Sequence, residues 1–466
     1  MDGKNKSQKI KYSGYLLCLV CFVLTVWSFY PGFMSADSVT NLTSGREGLY
    51  FDINSPVVSY LWGKLDRLVE GPALMLIFQN LLFWTACAVF WKATSAKSYK
   101  LGFALILFGL LPHILPQLLC IWKDISLGVA LFLTVALLYY AKNSQSKIAL
   151  LISPMPLLFG YAARLNAMTA VLPIAIWSGF IACQLFEIGK SKISGVLIGA
   201  GYFVLLSFGV YFITYSLTEG RTTYPHQQIY LYDLAAISAE KNEMFFPEYV
   251  IKHENFSPEL IKTRYNTTTV NDLLYKDIPK PGDLPPLKIT DKPEEVAALK
   301  EKWIETVTAN PMIFLSHKLK VFGNLIGLDR SVSLTFFYEG FSYSPPEYRG
   351  DEQKLGYKIL MKYFGAFRRP FPQTFFHRAI LWLLLCVYFL YRAFKNRVKG
   401  DWDIVLVLSL SCLLFTFSYL PTTPSTEYRY LFWSAISSAI VIIFGTYLSA
   451  QTPDNFIGKF LLRFRK

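Results

Sequence analysis

Apolar residues in this chain come in long runs, with polar residues gathered between them. Gly14 to Tyr30, Pro72 to Trp91, Ile193 to Leu217, Leu381 to Phe394, Ile404 to Leu420 and Leu431 to Leu448 each read as one membrane crossing, since about twenty apolar residues in a helix span roughly 30 Å of hydrocarbon. Gly102 to Ala141 is about twice that length and must turn back. Lys123-Asp124 is its turning point, because each charge held at mid-bilayer costs about 3 kcal/mol. Ile148 to Phe186 raises the same problem and turns at Arg164-Leu165-Asn166. The pattern predicts an α-helical polytopic membrane protein of about ten spans. The first run is expected to be a retained helix, because Pro31 to Asp37 lacks a small-x-small cleavage pattern.

The spans fall into two modules, residues 1–217 with about seven and 376–466 with about three, separated by a polar domain over 218–375. That domain mixes turn-rich chain, such as Pro279 to Asp283, with helical periodicity from Glu294 to Thr308. Asn310-Pro311 then supplies a cap and first-turn proline for a helix from Met312 to about Leu328. In the first loop, Pro56 to Leu68 predicts a helix along the interface, with Tyr60 and Trp62 at headgroup depth.

Composition agrees with a bilayer as solvent: 53% of the 466 residues are hydrophobic and only 17% are charged, too few to cover a soluble surface. The net charge of +14 would suit nucleic acid if it formed one patch. It lies instead in short segments between apolar runs, at Lys4, Lys6, Lys9 and Lys11, at Lys92, Lys97 and Lys100, at Lys190 and Lys192, at Arg392 to Lys399, and at Lys459 to Lys466. These clusters orient spans, placing both termini in the cytoplasm and the 218–375 domain on the other face. No nucleic-acid partner is expected. The seven cysteines fall in or beside apolar runs, so no disulfide framework is encoded. Asn41, Asn255 and Asn266 match a glycosylation pattern short enough to arise by chance.

Chemistry is sought where polar groups stand against their solvation preference. Asp37 follows the first span directly, either as a base or, with Ser35, as the cap of a short helix. Asp52 precedes Asn54-Ser55-Pro56, where a turn explains it equally well. Asp124 suits a helix amino terminus, whereas Lys123 beside it points to an anion. Arg164, with Asn166 nearby, offers a planar fork for phosphate oxygens. Glu427, Arg429 and Tyr430 stand at the mouth of the last span. His317 reads as a satisfied interfacial histidine, and His226, His253 and His377 lack metal-ligand spacing.

Taken with these residues, the sequence resembles the GT-C class of membrane glycosyltransferases, which take sugars from polyprenyl phosphate carriers. The likeness lies in Asp37 after span one, in Asp52 with Pro56, in Trp303 with Asn310-Pro311 and His317-Lys318, and in Glu427-Tyr428-Arg429-Tyr430-Leu431, similar to a Glu-x-Arg-Tyr of the final outer loop. It implies that Asp37 is the catalytic base and that the outer cations hold the carrier's phosphate. Relatives often pair two acids after span one and place a histidine where Asn54-Ser55 stands, so a metal-dependent mechanism is not expected.

The resulting expectation is inverting transfer of a monosaccharide from undecaprenyl phosphate, or a similar carrier, to a hydroxyl of an envelope glycan or glycolipid, as in modification of lipopolysaccharide O-antigen. Asp37 is the general base; Lys123, Arg164 and Arg429 hold phosphate; Asp52 or Asp124 orients acceptor or sugar; Asn166, Glu427 and Tyr430 complete the site. The partners are the donor, the acceptor and membrane lipid, without cofactor, and the location is a bacterial inner membrane. The alternatives are an O-antigen polymerase or ligase, which takes lipid pyrophosphate-linked oligosaccharides, and a transporter or flippase of a lipid-linked anion.

Overall fold

The computed structural model describes residues 2–189, 191–251, 257–275, 286–329, 332, 340–368, 375–396 and 400–451. Pro279 to Asp283, Lys190, His253, Asn255, Arg397, Lys399 and the basic cluster from Lys459 to Lys466 lie outside the described residues. The first loop follows α1 (Asp2–Phe29) and holds α2 (Ala36–Glu47) and α3 (Pro56–Asp66). Next come α4 (Ala73–Thr94), α5 (Tyr99–Leu107), α6 (Lys123–Ser144), α7 (Lys147–Ile152), α8 (Pro154–Ala163), α9 (Met168–Phe186) and α10 (Lys192–Thr218). The polar domain contributes α11 (Gln227–Lys241), α12 (Pro258–Arg264), α13 (Asn271–Leu274), α14 (Pro293–Ala309), α15 (Pro311–Leu325) and α16 (Leu355–Arg368). The chain closes with α17 (Ala379–Asn396), α18 (Trp402–Thr422) and α19 (Phe432–Ala450). Among the described residues β-structure is limited to isolated bridges.

Among the described residues eight helices are long and apolar enough to cross a membrane. The protein is therefore an α-helical membrane protein. Two further apolar helices, Tyr99–Leu110 and Lys147–Ala163, stand where the third and fifth spans are expected but are shorter. Proline explains both. Pro112 and Pro116 lack the N–H that would carry α5 onward, and the chain continues through a 3-10 turn, Leu115–Leu119, to Trp122. Irregular backbone survives in an apolar setting only if its polar groups find partners. The buried amides of Gln79 and Asn80 on α4 supply them: Gln79 donates to the Leu118 and Cys120 carbonyls at 2.8 and 3.0 Å, and Asn80 to Leu118 at 3.0 Å. In the other helix Ser153-Pro154 separates α7 from α8.

Burial sets the order of the bundle. In α6, 83% of the spanning segment is buried, against 17% in α10, so α6 is the central post and α10 faces outward. α6 packs against α4, α8 and α19, while α10 rests mainly on α9. At the end of the bundle reached by the carboxyl terminus of α6, Lys97 and Tyr139 bond Asp401 at 2.9 and 2.8 Å. Lys142 and Trp177 bond Asp403 at 2.6 and 2.9 Å.

The polar domain has its own core of Leu231, Tyr232, Leu234, Val250, Ile261, Leu273, Leu299 and Val321. Asp233, fully buried, ties three elements together. It accepts from Trp303 Nε1 at 3.0 Å and pairs with Lys318 Nζ at 2.5 Å and His317 Nε2 at 3.2 Å. His317 Nδ1 meets the Tyr265 hydroxyl at 2.8 Å. Burial lowers the His317 pKa, outweighing the Asp233 carboxylate, which raises it. In the first loop α2 crosses α3 at Gly45 and Gly63, where a Cβ on either would strike the other backbone. Trp62, expected at headgroup depth, is fully buried beneath that crossing and donates to the Gly71 carbonyl at 3.0 Å, while Tyr60 is exposed.

Candidate functional site

The site begins with a short backbone pairing between the end of the first span and the approach to α6. Phe33 N donates to Leu119 O at 2.8 Å, and Ile121 N to Phe33 O at 3.0 Å. Ser35 caps α2: its backbone N–H donates to the Ser38 hydroxyl oxygen at 3.0 Å. Two side-chain bonds weld this cap to the neighbouring strand of chain, Trp122 Nε1 to Ser35 Oγ and Ser38 Oγ to Ile121 O, both 2.8 Å. The amino termini of α2 and α6 are thereby held side by side. Asp37 lies in the first turn of one, and Lys123 and Asp124 in the first turn of the other. Ser35 thus does cap the helix, and the cap aims Asp37.

Two more helix starts complete the ring. Arg164 and Asn166 lead into α9 through the short turn Leu165–Ala167, and Tyr428–Leu431, which holds Arg429, leads into α19. Arg429 is the hub. Its Nη1 contacts Asp37 Oδ2 at 2.5 Å, its Nε contacts the Glu427 carboxylate, and Asp124 Oδ2 stands 4.0 Å away. Arg164 contacts the other oxygen of Asp124. Lys123 donates to Ile53 O at 3.0 Å and feels the charges of Asp37, Glu427, Arg164 and Arg429. Aromatic rings fix the guanidinium planes: Arg164 lies 4.4 Å over Tyr430, which stacks on Tyr419, and Arg429 lies 5.0 Å over Trp122. Asn166 sits beside the Tyr419 hydroxyl.

Three carboxylates and three cations balance formally, yet the four helix amino termini add partial positive charge from the same side. Helix starts of this kind suit oxygen-bearing anions. Access is uneven. Asp124 is 4% exposed and Arg429 11%, whereas 48% of the Asp37 side chain remains open. Burial raises the Asp37 pKa, but Arg429, with Lys123 and Arg164 behind it, holds the carboxyl below the usual carboxylate range. Asp37 is thus ionised, reachable and tied to a cation.

Seven of the nine expected site residues meet here: Asp37, Lys123, Asp124, Arg164, Asn166, Glu427 and Arg429; Tyr430 joins them through its ring. Asp52 is occupied elsewhere. Its carboxylate accepts from Thr222 Oγ1 at 2.5 Å, Thr223 N at 2.6 Å and Thr223 Oγ1 at 2.7 Å, so it clamps the first loop to the chain leaving α10. Trp303, His317 and Lys318 gather on Asp233 in the core of the polar domain.

Nothing in the sequence singled out Trp122, Tyr419 or Tyr275. The first two sit in apolar stretches where an aromatic reads as packing, and Tyr275 follows α13, half-exposed and within reach of the Asp37 charge. Segment 266–275 is bonded to the chain preceding Glu427: Val270 N to Pro424 O at 2.9 Å, Thr426 N to Thr268 O at 2.7 Å, and Thr269 Oγ1 to Ser425 Oγ at 3.2 Å. The polar domain therefore grips the loop that carries Arg429. A separate open cleft of about 460 Å³, lined by residues including Tyr30, Glu70, Tyr348 and Lys354, contains none of the expected site residues. Among the described residues no group of His, Cys, Asp and Glu is arranged to hold a metal ion. Comparisons of the chain with protein-family models, curated proteins and solved structures find no match.

Proposed function

We propose that the protein is a GT-C-like glycosyltransferase that moves a monosaccharide from a polyprenyl phosphate carrier to a hydroxyl of an envelope glycan or glycolipid. One observation carries the reading: Asp37, open to solvent, shares a single recess with Arg429, Arg164 and Lys123, although these residues lie in four distant parts of the chain. In this reading the chain crosses a bacterial inner membrane ten times, counting the two short helices, with both termini inside and the recess on the extracytoplasmic face; the basic residues between the apolar runs support that orientation. The polar domain then roofs the site.

The donor phosphodiester sits against Arg429 and Arg164, with its polyprenyl chain among the spans. Asp37 accepts the proton of the incoming hydroxyl as its oxygen bonds to the anomeric carbon. The bond from that carbon to the phosphate oxygen breaks, and its electron pair stays on phosphate. One charge is neutralised on Asp37 as one appears on phosphate, so the recess keeps its net charge. Preorganised donors aimed at such a growing charge are worth several kcal/mol. A single displacement by one base inverts the anomeric centre. Asp124 orients Arg164, Glu427 orients Arg429, and Asp52 holds the loop that Lys123 contacts.

The test is transfer of labelled sugar from polyprenyl phosphate donors to envelope glycolipids by the purified protein in proteoliposomes. Transfer by the wild type, lost by a factor of about 10²–10⁴ in Asp37→Asn with the fold intact, is expected, the range that removal of a general base accounts for. Use of pyrophosphate-linked oligosaccharides only would favour a polymerase or ligase, and carrier translocation without transfer a flippase.

A further inference from the structure

The recess has an internal conflict. The cation best placed for a donor phosphate, Arg429, is already in contact with the carboxylate that would act as base. A guanidinium at 2.5 Å holds Asp37 ionised but makes it a poor proton acceptor, because protonation would forfeit the ion pair. Phosphate and Asp37 therefore ask for the same N–H groups.

We infer that Arg429 is exchanged between Asp37 and the donor's phosphate, so that donor binding frees the base and must precede deprotonation of the acceptor. This rests on the transferase reading and concerns the control of the same site. Arg429 has the geometry for exchange. The Glu427 carboxylate contacts its Nε, and Asp124 Oδ2 stands 4.0 Å away, so two negative charges keep the guanidinium near as Nη1 leaves Asp37. Trp122 lies beneath the guanidinium at 5.0 Å and supports the plane in which it turns. Asp37 loses less by the exchange than a buried acid would, because half its side chain is open to water.

Once Arg429 has turned, Lys123 on α6, Arg164 before α9 and the Tyr275 phenol after α13 still face Asp37 among the described residues, with Glu427 against Arg429 and Asp124 against Arg164. Two cations remain, but a phosphate now stands among them. The Asp37 carboxyl then takes a proton more readily than in the empty site. Without a donor, the ion pair keeps the base quiescent and the acceptor hydroxyl untouched.

The consequence runs against the usual effect of deleting a site residue: removing the Asp37 charge should strengthen phosphate binding. The probe is a short-chain polyprenyl methyl phosphodiester, which carries one constant charge and no sugar. Its affinity is measured near pH 7 for the full chain in zwitterionic nanodiscs. Asp37→Asn is expected to bind about tenfold tighter than the wild type, in line with coupling inside one ionic network. Plain repulsion between Asp37 and phosphate would give a gain of its own, so the same substitution is repeated with Arg429→Gln. There the gain should shrink severalfold. Arg429→Lys, with charge but no fork, replaces the glutamine variant should that one fail to fold, and should shrink the gain as well. Equal binding by wild type and Asp37→Asn, or an equal gain with and without Arg429, overturns the exchange and leaves the phosphate site standing. Absence of binding by both proteins removes the phosphate site, and with it both the exchange and the transferase reading.

Discussion

Arg164 and Asp124 show what single side chains contribute here. Asp124 is buried at the start of α6, and the Arg164 guanidinium covers one of its oxygens. Removing one partner of such a pair leaves an uncompensated charge, at a cost of about 3–5 kcal/mol, while replacing both with apolar residues is often neutral. Arg164→Met should accordingly lower the thermal midpoint in detergent, and Arg164→Met with Asp124→Leu should recover most of it. A double variant no more stable than the single one would contradict this. His317 offers a pH test. Its folded pKa is lowered, so the unfolded chain binds the proton more readily, and the stability this contributes is complete above about pH 6.5 and is lost as pH falls below it. Thermal midpoints measured from pH 7.5 to 5 should fall more steeply for the wild type than for His317→Gln. Each charge of the site was legible alone, because an ionisable residue beside an apolar run needs a reason. Its partner was not: Asp37 and Arg429 are 392 positions apart, and neither residue records the other. Asp233 was invisible for the converse reason, since one acid in a helix of mixed polarity reads as solvated.

At the scale of elements, run length was a good guide where a helix is continuous. The span expected over Ile404 to Leu420 is Trp402–Thr422, and the helix expected from Glu294 to Thr308 is Pro293–Ala309. It misled where an apolar run is broken by proline, because apolarity measures depth and not helicity. Gln79 and Asn80 in α4 were the overlooked signal: two amides in an apolar helix imply backbone to be satisfied nearby. Gln79→Leu would remove one donor from each of two buried carbonyls, which keep Asn80 Nδ2 at Leu118 and the Trp122 N–H at Cys120, so each lost bond costs about 0.5–1.5 kcal/mol. The variant should be less thermostable, and cysteine labelling should find Cys120, buried in the wild type, more reactive. The outward α10 depends on small residues instead. Gly199 meets the backbone of α9 at Ile176, and a side chain there would push the helices apart. Gly199→Leu should therefore weaken docking of α10, read as faster proteolysis after Glu219 at its carboxyl end.

At the scale of the molecule, the polar domain is bonded to the loop that carries Arg429. Thr268 and Val270 bond the chain from Pro424 to Thr426, and Arg429 lies three residues beyond. The domain is thereby fastened to the loop that presents the cation paired with Asp37. The polar tract was legible in the sequence, and residues between Leu231 and Val321 form a second core, but its grip on this loop runs mostly through backbone groups, which every residue carries alike. The most direct measurement of the account is a cryo-electron microscopy structure of the protein in nanodiscs with a non-transferable polyprenyl phosphodiester. Phosphate density is expected between Arg429 and Arg164, with Asp37 released and facing the anomeric position. Phosphate bound elsewhere, with the Asp37–Arg429 pair undisturbed, would contradict it.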